Sequence, residues 1–218
     1  CGAELHYVEP SQRNAKANAL LEELRVAGRR PYLVPLGGSN GLGAVGYALA
    51  MNELRDQFPG DWNDIDVIVV ATSSGGTQAG LSLGARAYGF DGKIIGMSID
   101  QAVDREPSYQ GEMVAIANEA AKVLDIGESF TANDFHLNAD YLGGGYGVLG
   151  GAEKEATLTL AQSEGIFVGP VYTGRAVAGL LDLIRRQQFT KDQTVLFWHT
   201  GGAPALFAYA QELQEVVI

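Results

Sequence analysis

Residues 65–80, Ile65-Asp-Val-Ile-Val-Val-Ala-Thr-Ser-Ser-Gly-Gly-Thr-Gln-Ala-Gly80, decide how the rest of the chain is read. The run up to Ala71 is β-branched and too short for a helix, so it reads as a buried parallel strand. Small residues follow, and a second apolar segment opens directly after them. Thr72-Ser73-Ser74-Gly75-Gly76-Thr77 therefore forms a strand-to-helix turn with little side-chain bulk. Its backbone N–H groups converge at the positive end of the next helix, an arrangement that binds phosphate.

Working outward, strand-like and helix-like segments alternate. Ala3–Val8 and Pro31–Leu36 read as strands, with a helix between them over Ser11–Ala27, Ser11 as its N-cap and Gly28 as its stop. Gly37-Gly38-Ser39-Asn40 turns into a helix over Leu42–Phe58. Beyond the central loop come a helix (Thr77–Tyr88), a strand (Lys93–Ile99) and a helix (Ser108–Leu124) whose Glu112, Glu119 and Lys122 read as a solvated face. Residues 127–150 read as irregular. They are followed by helix Ala152–Ser163, strand Ile166–Val168, helix Gly174–Gln188, strand Thr194–Trp198 and helix Ala205–Leu213. This alternation predicts an α/β fold, a parallel sheet with helices on both faces, with ligands outside the carboxyl ends of the strands. Loops 37–40, 72–77, 143–147 and 200–202 fall at that side and are expected to outline one pocket.

Composition narrows the function. The chain has 218 residues, 15 Lys plus Arg against 26 Asp plus Glu, and a formal net charge of -11. No basic patch is interleaved with aromatics, so nucleic acid is not an expected partner. No apolar run approaches the ~18 residues of a membrane span, and the opening residues do not read as a signal peptide. The single cysteine, Cys1, excludes an intrachain disulfide framework, and a cytoplasmic setting is expected. His6 and His136 lack metal-ligand spacing, so no metal is expected. Loop 72–77 is neither a Walker loop nor a G-x-G-x-x-G dinucleotide turn, although Asp100 could imitate the ribose-binding acid of the latter. His199, ahead of Thr-Gly-Gly, reads first as a hydrogen-bonded structural histidine and second as a base.

Four motifs share a resemblance. Gly37–Tyr47 (GGSNGLGAVGY), Ser73–Gly80 (SSGGTQAG), Gly169–Leu180 (GPVYTGRAVAGL) and Phe197–Tyr209 (FWHTGGAPALFAY) resemble, in order, the pyridoxal-phosphate family of D-cysteine desulfhydrase and 1-aminocyclopropane-1-carboxylate deaminase, of the tryptophan-synthase-β fold (fold type II). The resemblance implies pyridoxal 5'-phosphate as cofactor. It implies that Ser73, Ser74, Gly75, Gly76 and Thr77 hold the phosphate, that Thr173 and Thr200 also contact the cofactor, with Thr200 facing the pyridine nitrogen, and that Tyr172 lies against the ring as the acid for a departing thiolate or as a gate. The deaminases carry Glu after the tyrosine and Leu after His-Thr-Gly-Gly. Thr173 and Ala203 stand there in this chain and favour the desulfhydrase branch, while Gly169 and Arg175 replace the family's usual acid and lysine.

The implied reaction is β-elimination from D-cysteine, or from another β-substituted amino acid, to pyruvate, sulfide and ammonia. The Schiff-base lysine of the family aligns ahead of residue 1, and Lys16, Lys93, Lys122, Lys154 and Lys191 occupy no motif. The chain is thus expected to be the C-terminal part of such an enzyme, inactive alone and a homodimer when complete. Residues 1–35 would end its small domain and 36–218 form the large, cofactor-binding one. A deaminase-like enzyme and a non-catalytic phosphate-binding module are the alternatives.

Overall fold

A computed structural model describes residues 2–100 and 108–214, so Cys1 lies outside the described residues. Contacts divide the chain into two compact units, Cys1–Gly37 and Gly38–Ile218. The first contains helix α1 (Arg13–Val26), which buries no residue. Gly28 stops it as expected, at φ 75°. Ser11 does not cap it, because a short 3-10 turn over Pro10–Gln12 precedes the helix and takes Ser11 inside. The flanking segments 3–8 and 31–36 are not strands. Their composition is β-like, but a strand needs a ladder partner, and Leu5, Tyr7, Tyr32 and Val34 are exposed instead.

The second unit holds a parallel sheet in the order β3-β2-β1-β4, built from β1 (Val67–Thr72), β2 (Lys93–Ser98), β3 (His136–Asn138) and β4 (Val195–Trp198). Every residue of β1 is buried, and its two faces separate cleanly. Ile68 and Val70 pack with Met51, Leu81 and Ala85 from helices α2 (Gly41–Gln57) and α3 (Gly76–Tyr88). Val67, Val69 and Ala71 pack with Met97, Ile99 and Ala176, the last from α6 (Thr173–Arg185). Helix α4 (Tyr109–Val123) packs against α2 and α3, and α5 (Gly151–Glu164) packs against α6. Helices therefore cover both faces of a parallel sheet, as the alternation requires.

Two departures from the sequence reading lie in this unit. β3 falls within the stretch read as irregular: its three residues pair with Ile95–Met97, and Gln78 Nε2 donates to the His136 carbonyl at 2.9 Å. Conversely, Ile166–Val168 forms no strand. The Phe167 carbonyl meets His199 Nε2 at 3.1 Å, so a side chain takes the place of a ladder partner. At the end of the chain, Ala203–Tyr209 is a 3-10 helix leading into the short α7 (Ala210–Gln214). Among the described residues no helix is long and apolar enough to cross a membrane.

The α2–α3 contact fixes the geometry near the phosphate loop. A Cβ on Gly80 would sit 2.2 Å from the Ala44 carbonyl oxygen, and one on Gly84 would sit 2.4 Å from that of Ala48. The two helices approach backbone to backbone along this small-residue seam. Gly84→Ala raises helix propensity by about 1 kcal/mol yet is expected to destabilise by about 1–3 kcal/mol through overpacking. Gly151→Ala, in open space at the start of α5, should be neutral or stabilising. Urea midpoints of the two variants check the contrast.

Candidate functional site

The carboxyl end of β1 runs into Ser73–Gly75, and α3 starts at Gly76. Gly75 has φ 83°, a left-handed conformation open to glycine. A Cβ there would also lie 2.7 Å from Met113 Cγ, and one on Gly76 would lie 2.6 Å from Ser39 Oγ. The glycines are thus demanded from behind, by α4 and by the neighbouring loop. This backing presses a bare backbone toward the front. The N–H groups of Ser74, Gly75 and Thr77 have no acceptor among the described residues, the state expected of a helix N-terminus before an anion arrives.

Ser39 brings the first glycine-rich loop to this turn. Its hydroxyl donates to Ser74 Oγ at 2.7 Å and accepts from the Gly76 N–H at 3.2 Å. Asn40 then caps α2, its Oδ1 accepting from the Gly43 N–H at 2.8 Å. Glu119 is not merely solvated, since its Oε2 accepts from the Gly41 N–H at 2.9 Å. Loops 38–40 and 72–77 are therefore one structure, braced by α4. Behind them Thr72 Oγ1 and Tyr109 Oη are 3.0 Å apart.

A second cluster gathers around the start of α6. Thr173 is fully buried, and its hydroxyl donates to the Gly201 carbonyl at 3.0 Å and accepts from the Gly169 N–H at 2.9 Å. This hydroxyl is committed to backbone and holds the loop that carries Thr200, which is itself exposed. Tyr172, 39% exposed, hydrogen-bonds through its phenol to the phenol of Tyr146, and the rings meet edge to face with centroids 5.6 Å apart. Burial first, and the Tyr146 hydrogen bond second, push the Tyr172 phenol well above the usual tyrosine range. It therefore holds its proton at neutral pH. Tyr146 rides on the glycine-rich loop 143–147, anchored by Tyr209 Oη donating to the Gly147 carbonyl at 2.6 Å. Sequence reasoning marked that loop but missed Tyr146, since nothing local to it points to Tyr172, 26 residues on.

His199 serves the same loop structurally: Nδ1 accepts from the Gly201 N–H at 2.9 Å, which leaves the ring proton on Nε2, facing Phe167. Also absent from the sequence reading is the ion pair that backs this cluster. Arg175 and Glu153 are 1% and 4% exposed, with Nε and Oε1 2.7 Å apart. Arg175 donates further to the carbonyls of Ile99 (2.8 Å) and Val148 (2.9 Å), and Glu153 Oε2 accepts from the Gly150 N–H at 3.1 Å. The pair thus ties the end of β2, the glycine-rich loop and helices α5 and α6 together.

A cavity of about 580 Å3 opens elsewhere, lined by Val67, Lys93, Ile95 and His136 among others. Val67 and Lys93 begin their strands, so this hollow belongs to the amino ends of the sheet. The N–H groups unpaired among the described residues, and the Tyr146–Tyr172 phenols, lie instead on the loops at the opposite, carboxyl end. No group of three or more His, Cys, Asp or Glu able to hold a metal occurs among the described residues.

With that geometry in place, comparison decides the family. Residues 1–201 match the pyridoxal-phosphate dependent enzyme family. The chain belongs to that family. It is 41% identical over 197 residues to D-cysteine desulfhydrase of Salmonella schwarzengrund (strain CVM19633), an alignment covering 90% of this chain and 58% of the relative. The structure of an ACC deaminase homologue superposes with a TM-score of 0.82 at 32% identity, covering 98% of this chain and 62% of that one. Cysteine synthase from Entamoeba histolytica shares the fold, with a TM-score of 0.61 at 15% identity, over 100% of this chain and 59% of its own. The chain thus spans about three fifths of the length of these relatives. As a family member it is built for pyridoxal phosphate, and the α/β arrangement is that of fold type II.

Removing one partner of a buried ion pair costs about 3–5 kcal/mol, because the other charge is left uncompensated. Glu153→Ala is therefore expected to lose stability in that range in urea unfolding, and combining it with Arg175→Met should recover much of the loss.

Proposed function

We propose that this chain supplies the phosphate-binding and ring-facing residues of a pyridoxal-phosphate carbon-sulfur lyase acting on D-cysteine or a related β-substituted amino acid. The observation that carries the reading is the turn after β1. There Gly75, at φ 83°, and the N–H groups of Ser74, Gly75 and Thr77, unpaired among the described residues, form a backbone cradle in a chain of this family. The donor set fits a phosphate monoester: backbone N–H groups, the hydroxyls of Ser73 and Thr77, and the positive end of α3.

Bound pyridoxal phosphate supplies the electron sink for charge that develops at the substrate α-carbon. The protein's part is binding, orientation and proton control. Loop 73–77 holds the phosphate. Thr200, a neutral hydroxyl at the carboxyl end of β4, would be the partner of the pyridine nitrogen, and Thr173 would contribute by fixing the adjacent Gly201. Tyr172 Oη keeps its proton and donates a hydrogen bond toward the departing sulfur, with Tyr146 setting its direction. Elimination then needs only a modest sink, since sulfide leaves readily.

The lysine that carries the cofactor is, in this reading, none of the five in the chain. Lys93 begins β2 at the amino side of the sheet and lines the cavity there. Lys154 lies in the first turn of α5. Lys16, Lys122 and Lys191 lie on α1, on α4 and in the turn ahead of β4. In the same reading, residues up to about 35 end the family's small domain. The D-cysteine desulfhydrase relative, together with Thr173 and Ala203, supports the desulfhydrase branch over the deaminase branch.

On adding pyridoxal 5'-phosphate, the amide resonances of Ser74, Gly75 and Thr77 are expected to move most, and borohydride reduction should label none of the five lysines at unit stoichiometry. Strongest shifts around Lys93 and His136, or one stoichiometric adduct on Lys93 or Lys154, would refute the placement. In a protein that joins this chain to the remaining part of the family's length, sulfide release from D-cysteine should outpace ring-opening of 1-aminocyclopropane-1-carboxylate. The reverse order would reassign the branch.

A further inference from the structure

Ser39 belongs to the first glycine-rich loop, yet its side chain meets that of Ser74, 35 residues further on. It also lies flush on the start of α3. A Cβ on Gly76 would come within 2.6 Å of Ser39 Oγ and 3.0 Å of Ser39 Cα, so nothing fits between the two residues. The backbone on either side of Ser39 is fixed. The Asn40 N–H donates to the Gly38 carbonyl at 3.0 Å, the Asn40 side chain caps α2, and Glu119 Oε2 holds the Gly41 N–H. The Ser39 hydroxyl is thus delivered to the phosphate turn by a rigid loop.

A serine hydroxyl has one proton to give and two lone pairs to receive with. One lone pair of Ser39 Oγ accepts from the Gly76 N–H at 3.2 Å, and its proton goes to Ser74 Oγ at 2.7 Å. The Ser74 hydroxyl therefore already accepts, and its own proton has no acceptor among the described residues. Reversing the Ser39–Ser74 hydrogen bond would leave the spare proton on Ser39 instead of on Ser74, in the turn itself. In the order Gly76 N–H, Ser39 O–H, Ser74 O–H, each bond polarises the next and strengthens the last donor. Ser39 also takes one N–H out of the cradle. Those of Ser74, Gly75 and Thr77 are unpaired among the described residues, and that of Gly76 is not.

We propose that Ser39 is a positioning residue of the phosphate site: its hydroxyl occupies the Gly76 N–H and turns the Ser74 hydroxyl proton toward the bound phosphate. This rests on the phosphate site proposed above. Ser39 acts through Ser74 and needs no contact of its own with the ligand. Because the relay is complete before binding, the Ser74 hydroxyl is a preset donor whose rotor need not be frozen when the anion arrives, and preorganisation of this kind raises affinity by lowering the cost of ordering. The close seam between α2 and α3 thereby gains a chemical purpose, since it brings the relay's middle member to the turn.

Pyridoxine 5'-phosphate is the probe, since it carries the phosphate but no aldehyde and forms no adduct with a lysine. Calorimetric titration of the full chain is expected to show Ser39→Ala binding it about tenfold more weakly, the range of one hydrogen bond to a charged group. In a Ser74→Ala background the same change should cost less than about twofold, because residues that act through one another are not additive. Amide resonances separate positioning from a merely structural effect. On titration the Gly76 N–H of the unaltered chain should move less than those of Ser74, Gly75 and Thr77, and in Ser39→Ala it should join them. An equal loss in both backgrounds, an unchanged affinity in Ser39→Ala, or a Gly76 resonance that moves with its neighbours in the unaltered chain overturns the inference while leaving the phosphate site intact. If Ser39→Ala does not fold, the Gly76 resonance of the unaltered chain decides. If pyridoxine 5'-phosphate does not bind the unaltered chain, the phosphate reading itself fails and the inference with it.

Discussion

The backbone-to-backbone approach of α2 and α3 is the constraint on which the site depends. Gly80 and Gly84 lie against the carbonyls of Ala44 and Ala48 with no room for a methyl group. Two helices that close share one level for their N-termini, and this sets Ser39 beside Ser74 and Gly76. Pushed apart by a larger residue, α2 would draw its loop away from the turn after β1. Small residues here therefore serve position more than helix stability, since glycine costs a helix about 1 kcal/mol against alanine.

The second organising element is electrostatic. A buried salt bridge is weak evidence for stability, because desolvation offsets the attraction, but one that is fully hydrogen-bonded fixes geometry. Arg175 spends its guanidinium on Glu153, Ile99 and Val148, and Glu153 uses both oxygens. Lysine, the family's usual residue in the resemblance, is a point charge without the planar fork that reaches three acceptors at set angles. The glycine-rich loop, whose Gly143, Gly145 and Gly147 have left-handed φ angles, would have little to hold its course without such a fixture. The direction of Tyr146 follows from that anchoring.

Local chemistry and non-local pairing separate what was legible in the sequence from what was not. Residues 65–80 announced a buried strand and a bare turn because period, bulk and glycine content act within a few residues. Ser108 was legible as the start of α4 for the same reason, its Oγ accepting from the Gly111 N–H at 3.3 Å. Segments 3–8 and 31–36 carry β-type residues, but whether they pair depends on chain far away. β3 shows the converse: His-Leu-Asn has no strand signal and becomes one because β2 offers an edge and Gln78 takes the His136 carbonyl. The cofactor-site residues read from motifs cluster in two places, the phosphate turn and the start of α6. Partners 22 or 26 residues away, Glu153 for Arg175 and Tyr146 for Tyr172, left no local trace. For Thr173 the resemblance indicated a place near the cofactor, and the hydrogen bonds supply the reason the residue is a threonine.

In the function proposed here, the tyrosine pair limits what proton chemistry the site can perform. An ordinary tyrosine has a pKa near 10 and a thiol one near 8.5, so complete transfer from phenol to a departing thiolate is uphill by roughly 1.5 pK units, or about 2 kcal/mol. Burial and the Tyr146 hydrogen bond push the Tyr172 phenol higher still, and the gap widens. A group tuned in that direction is a poor general acid for sulfur but a dependable hydrogen-bond donor, since it remains protonated throughout. The arrangement therefore suits a leaving group that departs as an anion and needs only its developing charge solvated. For a carbanion or a nitrogen leaving group, with proton affinities above that of the phenol, the same pair would become a true acid. In the proposed reading, the environment of Tyr172 divides substrates by the basicity of what leaves, and sulfide falls on the side where no proton need be transferred.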